Sequence, residues 1–367
     1  MRVRQSSASR DSVKFPAPFP LLSYGRPCLD LEAGYGIAGS SVRMFSFIRQ
    51  ARAAGLRAGV AVSDREVAVA VVRRTTGRRP VIVNCVSQPA AKGYDDVAVE
   101  RALQDLALGR TPVSAVIGAG DYQVVQVEAP DVPAAELRQA TRWRLRDQFD
   151  FPIDSATIDL FDVPPTARRG RARMLFAVAA HGGAVENIGG ALTRVTPGFD
   201  IIDIPELCQR NLSALLPQDQ KGLALLVLRE QFAQLVLTRN GLLYLTRRIE
   251  LGQRSAGAPL DVDARAGAGA GTADPSIDAA SLALELQRSL DYYESHFDQS
   301  AIGDLVIAPG GPRAVALAAA LSSETGLRVS ALNLSDCMDM ADGIAVPDGW
   351  LPCMAIGAAL RADAAAG

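Results

Sequence analysis

Two adjacent glycines stand where a backbone could meet a phosphate. In residues 304–326, DLVIAPGGPRAVALAAALSSETG, a short β-branched run meets Gly310 and Gly311, and an alanine-rich stretch follows and closes on Gly326. Glycines at such a corner let the backbone approach a nucleotide closely, and a helix N-terminus behind them favours negative charge. A plain strand-turn-helix corner has the same pattern, so both readings stand at this point.

Other residues able to do chemistry are sparse. Of the two histidines, His181 opens an H-G-G that could present backbone N–H groups to an oxyanion, and His296 lies in the helical stretch YYESHF. No G-x-S-x-G accompanies them, so two incidental histidines are favoured over a Ser-His-Asp hydrolase. Asp336, Asp339 and Asp342 in DCMDMAD lack the alternating ligands and glycine of a calcium loop, which predicts a polar loop and no metal site. The five cysteines are scattered singly, without the C-x-x-C spacing of zinc or dithiol work, and fit a reducing compartment. Trp143, with Arg142, Arg144 and Arg146 around it and Phe149 nearby, has the composition of a protein-binding anchor. A surface helix carrying one half-buried Trp fits the same residues.

The elements that must position these groups belong to a globular chain. An apolar fraction of 49% over 367 residues excludes a mainly disordered protein and allows two or more subdomains with real cores. A net charge of −2 argues against a nucleic-acid binder. No run of about eighteen apolar residues predicts a membrane span. Residues 1–43 lack periodicity and read as a disordered or over-extended leader, with Met44 as a natural start. After it, Phe45, Phe47 and Ile48 beside Arg49 and Arg52 read either as a frayed leader or as a contact with a membrane surface.

Apolar segments 56–63, 66–72 and 80–87, parted by turn residues, predict a three-strand meander. A helix over 97–109 capped by Gly109, two strands around a Gly-Asp turn in 113–130, and a helix from Asp131 and Pro133 to Phe149 follow. A buried strand at RMLFAVAAH, helices near 184–195 and 205–215, and the strand FDIIDIP complete the first half. The meander recurs at 222–229, 232–238 and 242–250, which implies duplicated halves. Residues 252–276, rich in Ala, Gly and Asp, read as a loop. In the helix beyond it, Leu282, Leu286, Leu290, Tyr293 and Phe297 form one stripe that predicts core.

This order of parts, with QRSLDYYESHF, LVIAPGG, LVLTRNGLLYLTRRIELG and AIGAALR in sequence, resembles the actin-like ATPases of the PilM type over about residues 44–361. Within that type it is most similar to the MshI-like branch of MSHA pilus assembly. The resemblance implies an α/β, actin-like (RNase H-like) duplicated two-lobe fold with an inserted small α/β subdomain of the PilM/FtsA type. Its first lobe would be 44–220 with the insertion at about 112–180. Its second would be 221–361, returning to the first at about 350–361, with a tail at 362–367.

In the family each meander turn carries D-x-G, whose glycine brings N–H groups onto phosphate while the carboxylate positions Mg²⁺ or water. Here Ala61 and Ser63 stand at those positions in the first turn, with Asp64 displaced, and Val227 and Arg229 in the second. The resemblance therefore implies a degenerate, non-catalytic member with no expected cofactor. The adenosine end, Gly310 and Gly311 with Glu285 and Arg288, would still contact a base and ribose, or Glu285 and Arg288 are a solvated i, i+3 ion pair. The implied partner is the cytoplasmic N-terminal tail of a PilN-like bitopic inner-membrane protein, received near Trp143, Arg146 and Phe149. That places the chain in the cytoplasm, peripheral to the inner membrane of a Gram-negative bacterium, as a scaffold of the pilus platform. The alternative is an ATP-binding switch of the same assembly.

Overall fold

The computed structural model describes residues 55–90, 96–104, 106, 108–146, 148–165, 172–251 and 277–361. The leader, the loop 252–276 and the tail 362–367 lie outside the described residues. Strands β1 (Leu56–Val62), β2 (Glu66–Arg73) and β3 (Val81–Pro89) form the first meander. β1 and β2 are apolar on both faces and buried on both, as strands covered from two sides must be. β4 (Val113–Val116) adds parallel to β1, and β8 (Phe199–Asp203) adds parallel to β4.

The second half repeats this arrangement. β9 (Leu223–Leu228), β10 (Phe232–Arg239) and β11 (Leu242–Glu250) make an antiparallel meander, and β12 (Asp304–Ala308) and β13 (Arg328–Ala331) extend it in parallel on the β9 side. The two sheets share one order, β3-β2-β1-β4-β8 against β11-β10-β9-β12-β13. β5 (Tyr122–Glu128), β6 (Ala156–Asp162) and β7 (Met174–His181) form a separate antiparallel sheet in the order β5-β7-β6.

Helices α1 (Asp96–Gln104), α2 (Leu137–Arg144), α3 (Gly182–Val195) and α4 (Pro205–Ser213) belong to the first half, and α5 (Ala279–Phe297) and α6 (Pro312–Thr325) to the second. Asp278 caps α5 by accepting from the N–H groups of Ala280 and Ser281. The stripe Leu282, Leu286, Leu290, Tyr293 and Phe297 is buried, as its spacing predicts. The last helix, α7 (Trp350–Ala359), packs on β1, β2 and α4 of the first half. Gly59 permits this approach, since a Cβ there would lie 2.0 Å from the carbonyl oxygen of Ala355. Arg361, just beyond α7, forms a buried ion pair of 2.7 Å with Asp203 at the end of β8.

Four local expectations are corrected. The helix expected to run to Phe149 ends at Arg144, because Gln148 N–H donates to the Leu145 carbonyl in a tighter turn that brings both Leu145 and Phe149 into the insertion's core. Its start is also later: Glu136 and Leu137 close turns on Pro133 and Ala134 before the α-helix begins. α1 stops at Gln104, and Gly109, at φ 53°, serves the next turn. The runs flanking the Gly-Asp turn are strands, but β4 joins the large sheet and β5 the small one, so the separate sheet begins at Tyr122 and not near residue 112. The DCMDMAD stretch contributes β14 (Asp339–Met340), a short parallel edge strand on β3, with Met338 buried beneath it.

Candidate functional site

The two hairpin turns that the resemblance makes candidate phosphate cradles are closed internally, the first by a side chain and the second by a backbone hydrogen bond. In the first, the Ser63 hydroxyl accepts from the N–H groups of Arg65 and Glu66, at 3.3 and 3.1 Å. Those are N–H groups that a phosphate would need. Ala61 is buried in β1 opposite Ala68. In the second turn Val227 is fully buried in β9, paired with Gln234 and Ala308. The Arg229 N–H donates to the Phe232 carbonyl at 3.0 Å.

The Arg229 side chain folds inward. It is only 8% exposed, and its guanidinium lies over the ring of Trp350, 3.8 Å from the centroid, and 5.0 Å from that of Phe232. Arg248 covers Phe232 at 3.8 Å, so two arginines and two aromatic rings make one cation-π ladder. The tips of the two hairpins meet at Arg65 and Glu230, 4.0 Å apart and both well exposed, a contact worth little by itself. Behind the ladder the Tyr122 hydroxyl donates to Glu206 at 2.7 Å. Burial holds both the phenol and this carboxyl above their ordinary pKa values. Burial also pushes the Arg229 guanidinium down, against the opposing fields of Tyr122 and Glu206.

These groups line a cleft of about 1240 Å³. Its walls are the two hairpin turns, the residues after β4 to Asp121, the end of β3, the solvent face of α3 and the start of α7. Ser63, Asp121, Glu186, Arg229, Phe232 and Trp350 are the side chains of consequence.

None of the residues expected at an adenosine end lines this cleft. A Cβ at Gly310 would lie 2.1 Å from the Leu332 carbonyl oxygen, so that glycine is needed by the crossing of the chain beyond β13. Gly311 adopts φ 125°, which favours glycine, and its side-chain direction is open. Glu285 and Arg288 form the i, i+3 ion pair at 2.5 Å, with Arg247 at 3.6 Å from Glu285. Trp143 is 65% exposed and lies outside the cleft lining, with Arg146 over its ring at 5.0 Å. Phe149 is buried in the insertion's core beside Leu145 and Ile153, so it is not a surface contact.

His181 precedes α3 and packs against the ring of Phe151, whereas His296 stacks on Tyr292. No cluster of His, Cys, Asp or Glu that would hold a metal occurs among the described residues. The sequence reading missed Trp350, Phe232, Tyr122 and Glu206. The one available signal was Arg229 itself, since a cation placed next to a buried strand must find aromatic or acidic company.

The repeated strand order, an antiparallel meander extended by two parallel strands in each half, decides the fold. It is actin-like. A chain of a PilM-PilN type IV pilus biogenesis complex matches with a TM-score of 0.59 at 18% identity, over 83% of this chain and 98% of that one. The cytoplasmic domain of EpsL, an inner-membrane component of the type II secretion system of Vibrio cholerae, matches at 0.44 and 10% identity over 84% and 97% of the two chains. A Bacteroides thetaiotaomicron protein with an actin-like ATPase fold matches at 0.43 and 7% over 78% and 94%. No family model matches the chain, and no curated protein matches it significantly.

Proposed function

We propose that this protein is a non-catalytic scaffold of type IV pilus biogenesis, of the PilM type and the MSHA branch. It binds the cytoplasmic N-terminal tail of a PilN-like bitopic inner-membrane protein and so joins the assembly platform at the inner face of that membrane. The observation that carries the non-catalytic part is Arg229. A guanidinium packed on Trp350 occupies the second phosphate turn, Val227 points into the core where a carboxylate would hold Mg²⁺, and Ser63 consumes the N–H groups of the first turn. The partner rests on likeness of fold to a chain of the PilM-PilN complex along nearly all of that chain's length. The cleft between the first-half hairpin, the end of β3 and α3 offers room for an extended peptide. No helix among the described residues is long and apolar enough to cross a membrane, so recruitment by a membrane-anchored tail accounts for attachment.

The test is a side-by-side titration of the purified protein with ATP and Mg²⁺ and with a synthetic tail peptide from the adjacent bitopic gene product. Saturable binding of the peptide and no thermal shift with ATP are expected, because a ligand far above its Kd must raise Tm. A saturable shift with ATP would replace the scaffold by the nucleotide switch, and failure of the peptide to bind would remove the PilN-like partner.

A further inference from the structure

The unusual group in the cleft is the Arg229 cation. More than nine-tenths of this residue is buried, yet its Nε finds no acceptor. No ion pair of Arg229 occurs among the described residues, and its contacts are the faces of Trp350 and Phe232. Glu206 stands beyond ion-pair distance and accepts instead from Tyr122. Glu230, the next residue, turns outward to Arg65. A charge removed from water without a counter-charge is strongly disfavoured, and proteins keep such a group where something else completes it.

The open side of the guanidinium belongs to the cleft, which it lines. An arginine held over an aromatic ring has little freedom to turn, and its planar fork matches the planar pair of oxygens of a carboxylate. The surroundings select a monoanion. Asp64, Glu66, Asp121, Glu186 and Glu230 outnumber Arg65, Arg194 and Arg229 around the cleft. The backbone N–H groups that would neutralise a phosphate are already engaged by Ser63 and by Phe232.

We infer that the cleft contains a carboxylate subsite at Arg229, backed by Trp350, which receives an acidic side chain of a peptide bound there. It rests on the reading of this cleft as a peptide groove and adds the chemistry that the peptide must carry. The bound carboxylate supplies the direct ion-pair partner that Glu206, engaged by Tyr122 and acting on Arg229 only at longer range, does not provide.

The chain's only tryptophans are Trp143 and Trp350. A Trp143→Phe background therefore makes emission a reporter of the ring under Arg229. The probes are a blocked Gly-Gly-Glu-Gly-Gly peptide, its Gln counterpart and inorganic pyrophosphate, titrated into the millimolar range at constant ionic strength. The expected result is a saturable change with the Glu peptide that is about tenfold or more weaker with the Gln peptide, and equally weakened in Arg229→Gln. Circular dichroism and a melting curve of Arg229→Gln establish that the variant is folded. No saturable response to the Glu peptide, an undiminished response in folded Arg229→Gln, or a stronger response to pyrophosphate would each overturn the subsite. Binding of the membrane-protein tail is measured separately by calorimetry, so a failed tail and a working Glu peptide would overturn the partner and leave the subsite standing.

Discussion

The Arg229 guanidinium lies 3.8 Å from the ring centroid of Trp350, and this contact joins the second half's hairpin turn to a helix packed on the first half. In a nucleotide-dependent actin-like protein the ligand spans the two turns. Here Arg229 reaches from the second turn to Trp350 on the helix packed against the first half, so the chain itself links the two halves beside the cleft. Desolvated cation-π contacts contribute up to about 2 kcal/mol.

That contact is measurable as a coupling. A double-mutant cycle of Arg229→Met and Trp350→Leu, read by urea denaturation, should give an interaction energy of about 1–2 kcal/mol. Arg229→Met alone should cost less than about 1 kcal/mol, because it removes an unpaired buried charge along with the stacking. Additive effects of the two variants would show that the stack carries no stability.

The glycine corner behaves as fold geometry if its two members fail for different reasons. Gly310→Ala sets a Cβ against the Leu332 carbonyl, a backbone atom that cannot swing aside, and should cost about 3 kcal/mol or more. Gly311→Ala meets no neighbour but must hold φ 125°, and should cost about 1–2 kcal/mol. Guanidinium denaturation of both variants checks the order, and a tolerated Gly310→Ala would return the corner to the list of ligand sites.

What could be read from sequence and what could not follow the range of the interactions. The two meanders and the α5 stripe were legible because alternation and three-four spacing record burial locally, residue by residue. The assignment of β4 and β5 to different sheets was not, since a turn closed by Asp121 and Gly118 looks the same whether its strands pair or part. Phe149 looked like a surface anchor because it follows Trp143 and three arginines, and only the turn at Leu145 sends it inward. Ser63 and Arg229 were visible at the tips of the two hairpins. Their consequences depend on Trp350, Tyr122 and Glu206, which no local pattern links to them.

The insertion's helix offers a clean separation of stability from recognition. Phe149→Ala empties a packed site and should lower stability by about 3–5 kcal/mol. Trp143→Ala, at an exposed ring, should change stability by less than about 0.5 kcal/mol. If the tail peptide uses this surface, calorimetry will find weaker binding by Trp143→Ala at unchanged Tm. Equal binding by wild type and variant would take Trp143 out of the partner site.

Asp159 gives the protein a definite pH response. Its carboxyl is buried in β6, and burial pushes its pKa from 3.8 up to about 7. The Leu160 N–H at 3.0 Å and Arg138 at 2.9 Å oppose that shift without cancelling it, and Oδ2 has no partner. The folded state therefore holds this proton more tightly than the unfolded chain does. Its contribution to stability is fully present below the ordinary value and is lost as pH rises to about 7, a swing of up to about 4 kcal/mol. Asp159→Asn carries no titrating group. Between about pH 4 and pH 8, the stability of the variant relative to wild type should climb by at least about 1 kcal/mol in parallel urea denaturations. A constant difference across that window would mean that Asp159 titrates in the folded protein as it does in the unfolded chain.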